Sequence, residues 1–148
     1  MQALTAAVLA GARDDLIDGV DVIERAALEA TAEDVHAADG IVLGTPANFG
    51  YMTGALKHFF DSTFLRIGGS LGDGGSAAPG DAATTVPFGL YVHGRYDTTG
   101  AVRSVESIVG ALPWRQVVPH LEVLGDVGDD HTNAAYELGA TVAALVAG

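Results

Sequence analysis

The chain has 148 residues, with 19 acidic and seven basic side chains, a net charge of −12 and no cysteine. This length suits one domain around one core, and the missing cysteine excludes disulfides, thiolate nucleophiles and cysteine-based zinc sites. So negative a surface repels phosphate backbones, which argues against nucleic-acid partners. Apolar runs are short and the opening MQALTAAVLAGARDD lacks a basic leader, so a cytoplasmic protein without membrane contact is expected.

Residues 2–12 place Leu4, Val8 and Leu9 among alanines on one helical stripe. Val20-Asp21-Val22-Ile23 alternates like a short strand. Thr31 followed by Glu33 and Asp34 is a helix start, with a hydroxyl cap and carboxylates where the helix dipole favours them; this helix is expected to end near Ala38. Ile41-Val42-Leu43 is apolar throughout, as a strand covered on both faces should be. From Tyr51 to about Phe64, Met52, Leu56, Phe59, Phe60 and Phe64 recur at helical spacing, and Lys57 and Asp61 fit an ion pair four residues apart. Residues 66–85 hold glycines, a proline and no sustained period, the pattern of a long loop.

Pro87-Phe88-Gly89-Leu90-Tyr91-Val92 is a second strand of the buried kind, closed by His93-Gly94. Asp97 or Thr98 is positioned to cap a helix that carries Val102, Val105, Ile108 and Val109 inward. Gln116 to Leu124 reads as a strand interrupted at Pro119, and Asp130 or Thr132 as the cap of a last helix over 133–146. Trp114 suits the core. Neither the histidines nor Asp129-Asp130-His131 require a metal, since helix capping accounts for the latter. Alternation of helices with apolar strands predicts one three-layer α/β domain over 1–148, built on a parallel sheet.

In such sheets ligands bind beyond the carboxyl ends of the strands. Two ends stand out here: Gly44 to Gly50, and His93 to Gly100. Both combine glycines with flat or polar side chains, and neither holds a nucleophile triad, a carboxylate pair or a metal cluster. A planar cofactor gripped by main chain and aromatic rings suits that composition, because the cofactor brings its own reactivity.

"ADGIVLGTPANFGYMTGALKHFFD" resembles the third strand, loop and helix of flavodoxin-like proteins, including the NAD(P)H-dependent FMN reductases and quinone reductases. The matching positions are Gly44, Thr45, Pro46, Phe49, Gly50, Leu56, Lys57 and Asp61, and "FGLYVHGRYDTTGAVRSVES" is similar to the fourth strand and its loop. The resemblance implies a flavodoxin-like sheet of order 2-1-3-4-5, FMN as cofactor and NAD(P)H as co-substrate. A quinone or similar small acceptor, or a redox partner, and a homo-oligomer are implied with them. It places Thr45, Pro46, Ala47, Asn48, Phe49 and Gly50 around the ribityl chain and ring edge, and His93, Gly94, Arg95, Tyr96, Asp97 and Thr98 beside the ring. No side chain is assigned a catalytic role.

The family's opening strand and its Ser/Thr/Gly turn for the FMN phosphate are not evident in this chain. Two accounts stand: a start upstream of Met1, or a sheet repaired by pairing Val20–Ile23 with Ile41–Leu43 or by dimerisation. On this exact chain FMN is expected to bind weakly. Alternatives to the reductase are a flavodoxin-type electron carrier with an acidic docking surface and a flavin-free binding or assembly protein.

Overall fold

The computed structural model describes residues 1–69, 71–75 and 85–148. In chain order it forms α1 (Gln2–Ala12), α2 (Ala32–Ala37), β1 (Ile41–Pro46), α3 (Gly54–Thr63), β2 (Val86–Gly94), α4 (Thr99–Val109), β3 (Trp114–Gln116), β4 (Leu121–Leu124) and α5 (Asp129–Val146). Of the expected loop over 66–85, residues 70 and 76–84 lie outside the described residues.

All described strand pairings are parallel, and β2 is the centre. β1 runs beside it from Ile41↔Phe88 to Pro46↔His93. On its other side β3 pairs with its first part, Val86↔Trp114 to Phe88↔Gln116, and β4 with its second, Tyr91↔Leu121 to Gly94↔Leu124. The strand expected over 116–124 is therefore two short ones. The interruption falls where Pro119 has no N–H to donate, and Gln116 Nε2 there donates to Val118 O across 2.9 Å.

The expected strand at Val20–Ile23 does not form. Four alternating residues without a ladder partner do not hold an extended segment, and Ile23 is exposed while Arg13 donates to Val22 O. The outer edge of β1 has no strand against it among the described residues, so Val20–Ile23 does not repair the sheet.

One face of the sheet presents Leu43, Phe88, Leu90 and Val92 to α3 and α4, which contribute Leu56, Phe59, Phe60, Val102, Val105 and Val109. Trp114 packs there with its ring 6.1 Å from Phe88 and 6.5 Å from Phe60. Each such large side chain taken fully from water contributes about 1.5–3 kcal/mol. The helices begin as their caps dictate. Thr31 accepts from Asp34 N–H while the Asp34 carboxylate accepts from Thr31 N–H, closing a capping box. α3 starts at Gly54 rather than Tyr51, because Thr53 is the residue whose hydroxyl caps it, accepting from Leu56 N–H. Lys57 and Asp61 form the expected ion pair at 2.5 Å. Gly128, not Asp130 or Thr132, precedes α5, and its N–H donates to His131 Nδ1.

The opposite face carries Tyr91 and Val123 against Leu4 and Val8 of α1 and Ala135 and Leu138 of α5. Tyr91 fills the space over Gly44, where a β-carbon would lie 2.2–2.6 Å from its ring and hydroxyl, and its hydroxyl bonds to Thr5 Oγ1 at 2.8 Å. Burial pushes that phenol above its ordinary pKa. Gly44 thus makes room for the Tyr91 ring. α1 and α5 meet backbone to backbone. A β-carbon on Gly11 would lie 1.9 Å from Tyr136 O, and one on Gly139 would lie 2.1 Å from Val8 O. No helix among the described residues is long and apolar enough to cross a membrane. Gly139→Ala is expected to force the two helices apart and cost about 1–3 kcal/mol of stability, measured by urea denaturation. A variant as stable as the parent would refute this account of the crossing.

Candidate functional site

Beyond the carboxyl ends of β1 and β2, the two loops singled out from the sequence lie against each other. The first is anchored at its root by Thr45, whose fully buried hydroxyl donates to Pro46 O and accepts from Thr53 N–H. That pair of bonds ties the end of β1 to the cap of α3 and closes the loop. Ala47 N–H then donates to His93 O at 2.9 Å, extending the β1–β2 pairing past the last strand residue.

At the tip, Asn48 and Tyr51 exchange both main-chain hydrogen bonds, at 2.8 and 2.9 Å. Phe49 and Gly50 are the two central residues of this tight turn, with φ of 52° and 71°. A pair of positive φ angles is the backbone of a type I′ turn, which favours Asn or Gly at both places. Phe49 is a phenylalanine there, and its ring is fully exposed. The left-handed conformation costs roughly 1–2 kcal/mol for a residue with a β-carbon, and this ring recovers none of it by burial. Backbone strain without a packing return is a mark of a functional position.

The second loop packs under the first. A β-carbon on Gly94 would sit 3.2 Å from Ala47 Cβ and 3.0 Å from Thr98 Cγ2, and one on Gly100 would sit 2.0 Å from Gly50 O. Both positions accept only glycine without displacement. Asp97 Oδ1 accepts from Thr99 N–H at the start of α4, and that bond holds its carboxyl below the usual range. Tyr96 is almost fully exposed and Tyr51 partly so. Together with Phe49 they give the rim three accessible aromatic rings.

The twelve residues expected to bind the cofactor divide in two. Asn48, Phe49, Gly50, Arg95, Tyr96 and Asp97 are exposed, whereas Thr45, Pro46, Ala47, His93, Gly94 and Thr98 are buried or partly buried and hold the loops in place. Among the described residues, the amides of Phe49, Gly50, Arg95 and Tyr96 donate to no protein group. Other participants were not singled out from the sequence. Thr98 Oγ1 donates to Glu122 Oε2 at 2.5 Å, Arg95 pairs with Asp126 at 3.5 Å, and Gly125 N–H donates to Gly94 O at 2.8 Å. The legible signal for them was Gly125 itself, the glycine that follows β4, whose φ of 75° makes the turn. No group of three or more candidate metal ligands occurs among the described residues. Two other surface hollows, beside Leu121 and Leu138 and beside Leu16 and Ala147, involve none of these loop residues.

Open main-chain donors, an unobstructed glycine at Gly50 and bare aromatic faces fit the ring of a flavin. Residues 10–124 match the family model described as NADPH-dependent FMN reductase. A flavodoxin from Aquifex aeolicus is 38% identical over 64 residues, which is 43% of this chain and 34% of that protein. An NAD(P)H dehydrogenase (quinone) from Acidithiobacillus ferrooxidans is 49% identical over 39 residues, 26% of this chain and 20% of that protein. The aligned stretches thus span about a third and a fifth of these curated relatives. A solved flavodoxin from the domain Archaea superposes with a TM-score of 0.74 at 15% identity, covering 96% of this chain and 87% of the other. The flavodoxin-like fold, with its strands parallel in the order β1-β2-β3, is thereby established.

Gly100→Ala tests the contact between the loops. The added methyl is expected to push the Phe49–Gly50 turn outward at a strain of about 1–3 kcal/mol, while α4 itself tolerates alanine well. Amide exchange at Asn48 and Tyr51 should accelerate with little change in global unfolding. Unchanged exchange there would show that the loops are not in contact.

Proposed function

Since the chain belongs to the NADPH-dependent FMN reductase family, we propose that the crevice between the two loops binds FMN. In this reading the protein is an oxidoreductase that takes electrons from NAD(P)H and passes them to a quinone or similar small acceptor. The observation that carries it is the strained, fully exposed Phe49 on a turn held against the second loop by Gly100.

FMN supplies the redox chemistry: its ring accepts hydride and releases electrons. The chain's part is to bind and polarise. Phe49 and Tyr96 offer apolar faces to a flat ring or to the planar acceptor that follows it. The free amides of Phe49, Gly50, Arg95 and Tyr96 supply fixed donors for the ring's polar edge. Such preorganised N–H groups stabilise the negative charge that reduction adds, without an acid or base from a side chain. A buried root (Thr45, Ala47, Gly94, Thr98) keeps those donors from relaxing when the charge changes.

A second reading, an electron carrier that docks a basic partner protein, is favoured by the net charge of −12 and by Asp97 and Asp126 exposed at the rim. One experiment separates the two. The protein is saturated with FMN, freed of excess and mixed anaerobically with NADPH. Loss of the yellow absorbance is expected. A flavin reduced by dithionite and by a partner reductase but not by NADPH would overturn the reductase reading in favour of the carrier. Absence of any FMN binding in a fluorescence titration would overturn both.

Phe49→Asn carries a further expectation. Asparagine adopts the left-handed conformation more readily, so stability should rise by about 0.5–1 kcal/mol. Loss of the ring should weaken FMN binding about tenfold. A gain in stability with unaltered affinity would remove Phe49 from the site.

A further inference from the structure

We propose that His93 is a positioning residue whose ring clamps the turn after β4 to the crevice and thereby fixes the second cofactor loop; the role rests on the FMN reading above. His93 closes the central strand, and both its carbonyl and its ring Nε2 are engaged. Its carbonyl accepts from Ala47 N–H at 2.9 Å, on the β1 side. Its ring Nε2 lies 2.6 Å from Gly125 O on the β4 side, and Nδ1 lies 3.1 Å from the Met1 amino group. A carbonyl oxygen only accepts, so Nε2 carries the proton and Nδ1 offers its lone pair. Nε2 is therefore committed to the turn after β4. Through its carbonyl and its ring together, His93 joins the ends of β1, β2 and β4.

The other ties of this loop run the same way. Thr98 bonds to Glu122, Arg95 pairs with Asp126, and Gly94 O accepts from Gly125 N–H. The loop from His93 to Thr98 is thus buttressed from β4 and its following turn, while its contact with the first loop is made by main chain and small residues. Of these ties the Arg95–Asp126 pair is exposed and contributes little. The His93–Gly125 bond is short, partly buried and adjacent to the positive-φ residue that makes the turn. Removing the imidazole leaves Gly125 O without its side-chain donor at the point where the turn leaves β4. The donors at Arg95 and Tyr96 then lose their backing, although neither residue is touched.

The test compares His93→Phe, which keeps a ring but loses the donor, with His93→Gln, which retains an N–H donor of similar reach. Amide exchange of peptides covering 93–98 and 122–128 is followed by mass spectrometry, and the FMN dissociation constant by flavin fluorescence. His93→Phe is expected to accelerate exchange in both peptides and raise the dissociation constant, each about tenfold, the factor for one lost hydrogen bond in a partly buried place. His93→Gln should restore both to within about threefold. Should His93→Phe not fold, His93→Ser, too short to reach Gly125, takes its place. Parental exchange in the Phe or Ser variant overturns the proposal, and so does a Gln variant that behaves no better than Phe. If the parent binds no FMN, the reading of function fails while the exchange data still decide whether the clamp exists.

Discussion

Pairing of β1 with β2 in a parallel register, from Ile41↔Phe88 to Pro46↔His93, is the constraint on which the site depends. Parallel neighbours end on the same side of the sheet, so their outgoing loops must leave side by side. The register sets the offset between them: the bond from Ala47 N–H to His93 O continues the ladder one step into the loops. A slip of one residue would turn Leu43 and Thr45 away from the α3 and α4 side and dissolve both the core and the root of the crevice. The same hydrophobic alternation that selects the fold therefore selects which two loops meet. No separate device is needed to bring residues 45–50 beside residues 93–98.

Within that frame the molecule is tight below and open above. Thr45, Gly94, Thr98 and Gly100 are packed with no spare volume, and their polar groups are consumed by neighbours. Asn48, Phe49, Arg95 and Tyr96 lie above them in solvent. A left-handed phenylalanine persists only because the Asn48–Tyr51 bonds and the Gly50–Gly100 contact over-determine the turn. Strain at the tip is thus held by rigidity at the base. This division leaves the amides at the tip open to solvent while the base keeps them fixed in direction.

Much of this was legible in the chain. Ile41-Val42-Leu43 and Phe88 to Val92 announced buried parallel strands by lacking any polar alternation, and Thr31 with Asp34 announced a capped helix. The two loops were located by rule, since open parallel sheets bind at their carboxyl ends. What the chain did not disclose depends on partners distant in sequence. Val20–Ile23 has the local pattern of a strand, yet a strand is a property of a pair, and its partner edge is not reached. Gly44 and Gly100 look alike as letters. Only the fold reveals that one makes room for Tyr91 and the other for the Gly50 carbonyl. His93 was expected beside the ring of the flavin; what the chain did not disclose is that the alternation along β2 puts its imidazole on the face of Tyr91, with Nε2 on Gly125 O.

The charge of the chain sharpens what the crevice must do. With a net charge of −12 and Lys57 as the only lysine, the overall field opposes nicotinamide phosphates and any reduced, anionic ring. That field is screened beyond roughly 8 Å at physiological ionic strength. Main-chain N–H groups act at hydrogen-bond range, where screening is ineffective and the donor does not titrate. Arg95 at the rim lies 3.5 Å from Asp126 in an exposed pair that offsets only part of its charge. On the proposed reading, recognition of an electron-rich ring at this place would fall to backbone amides and aromatic faces, the two kinds of group that the Phe49–Gly50 turn and the Arg95–Tyr96 loop present. An acidic protein that bound an anion this way would separate the two demands by distance: repulsion would govern approach, and fixed dipoles the bound state.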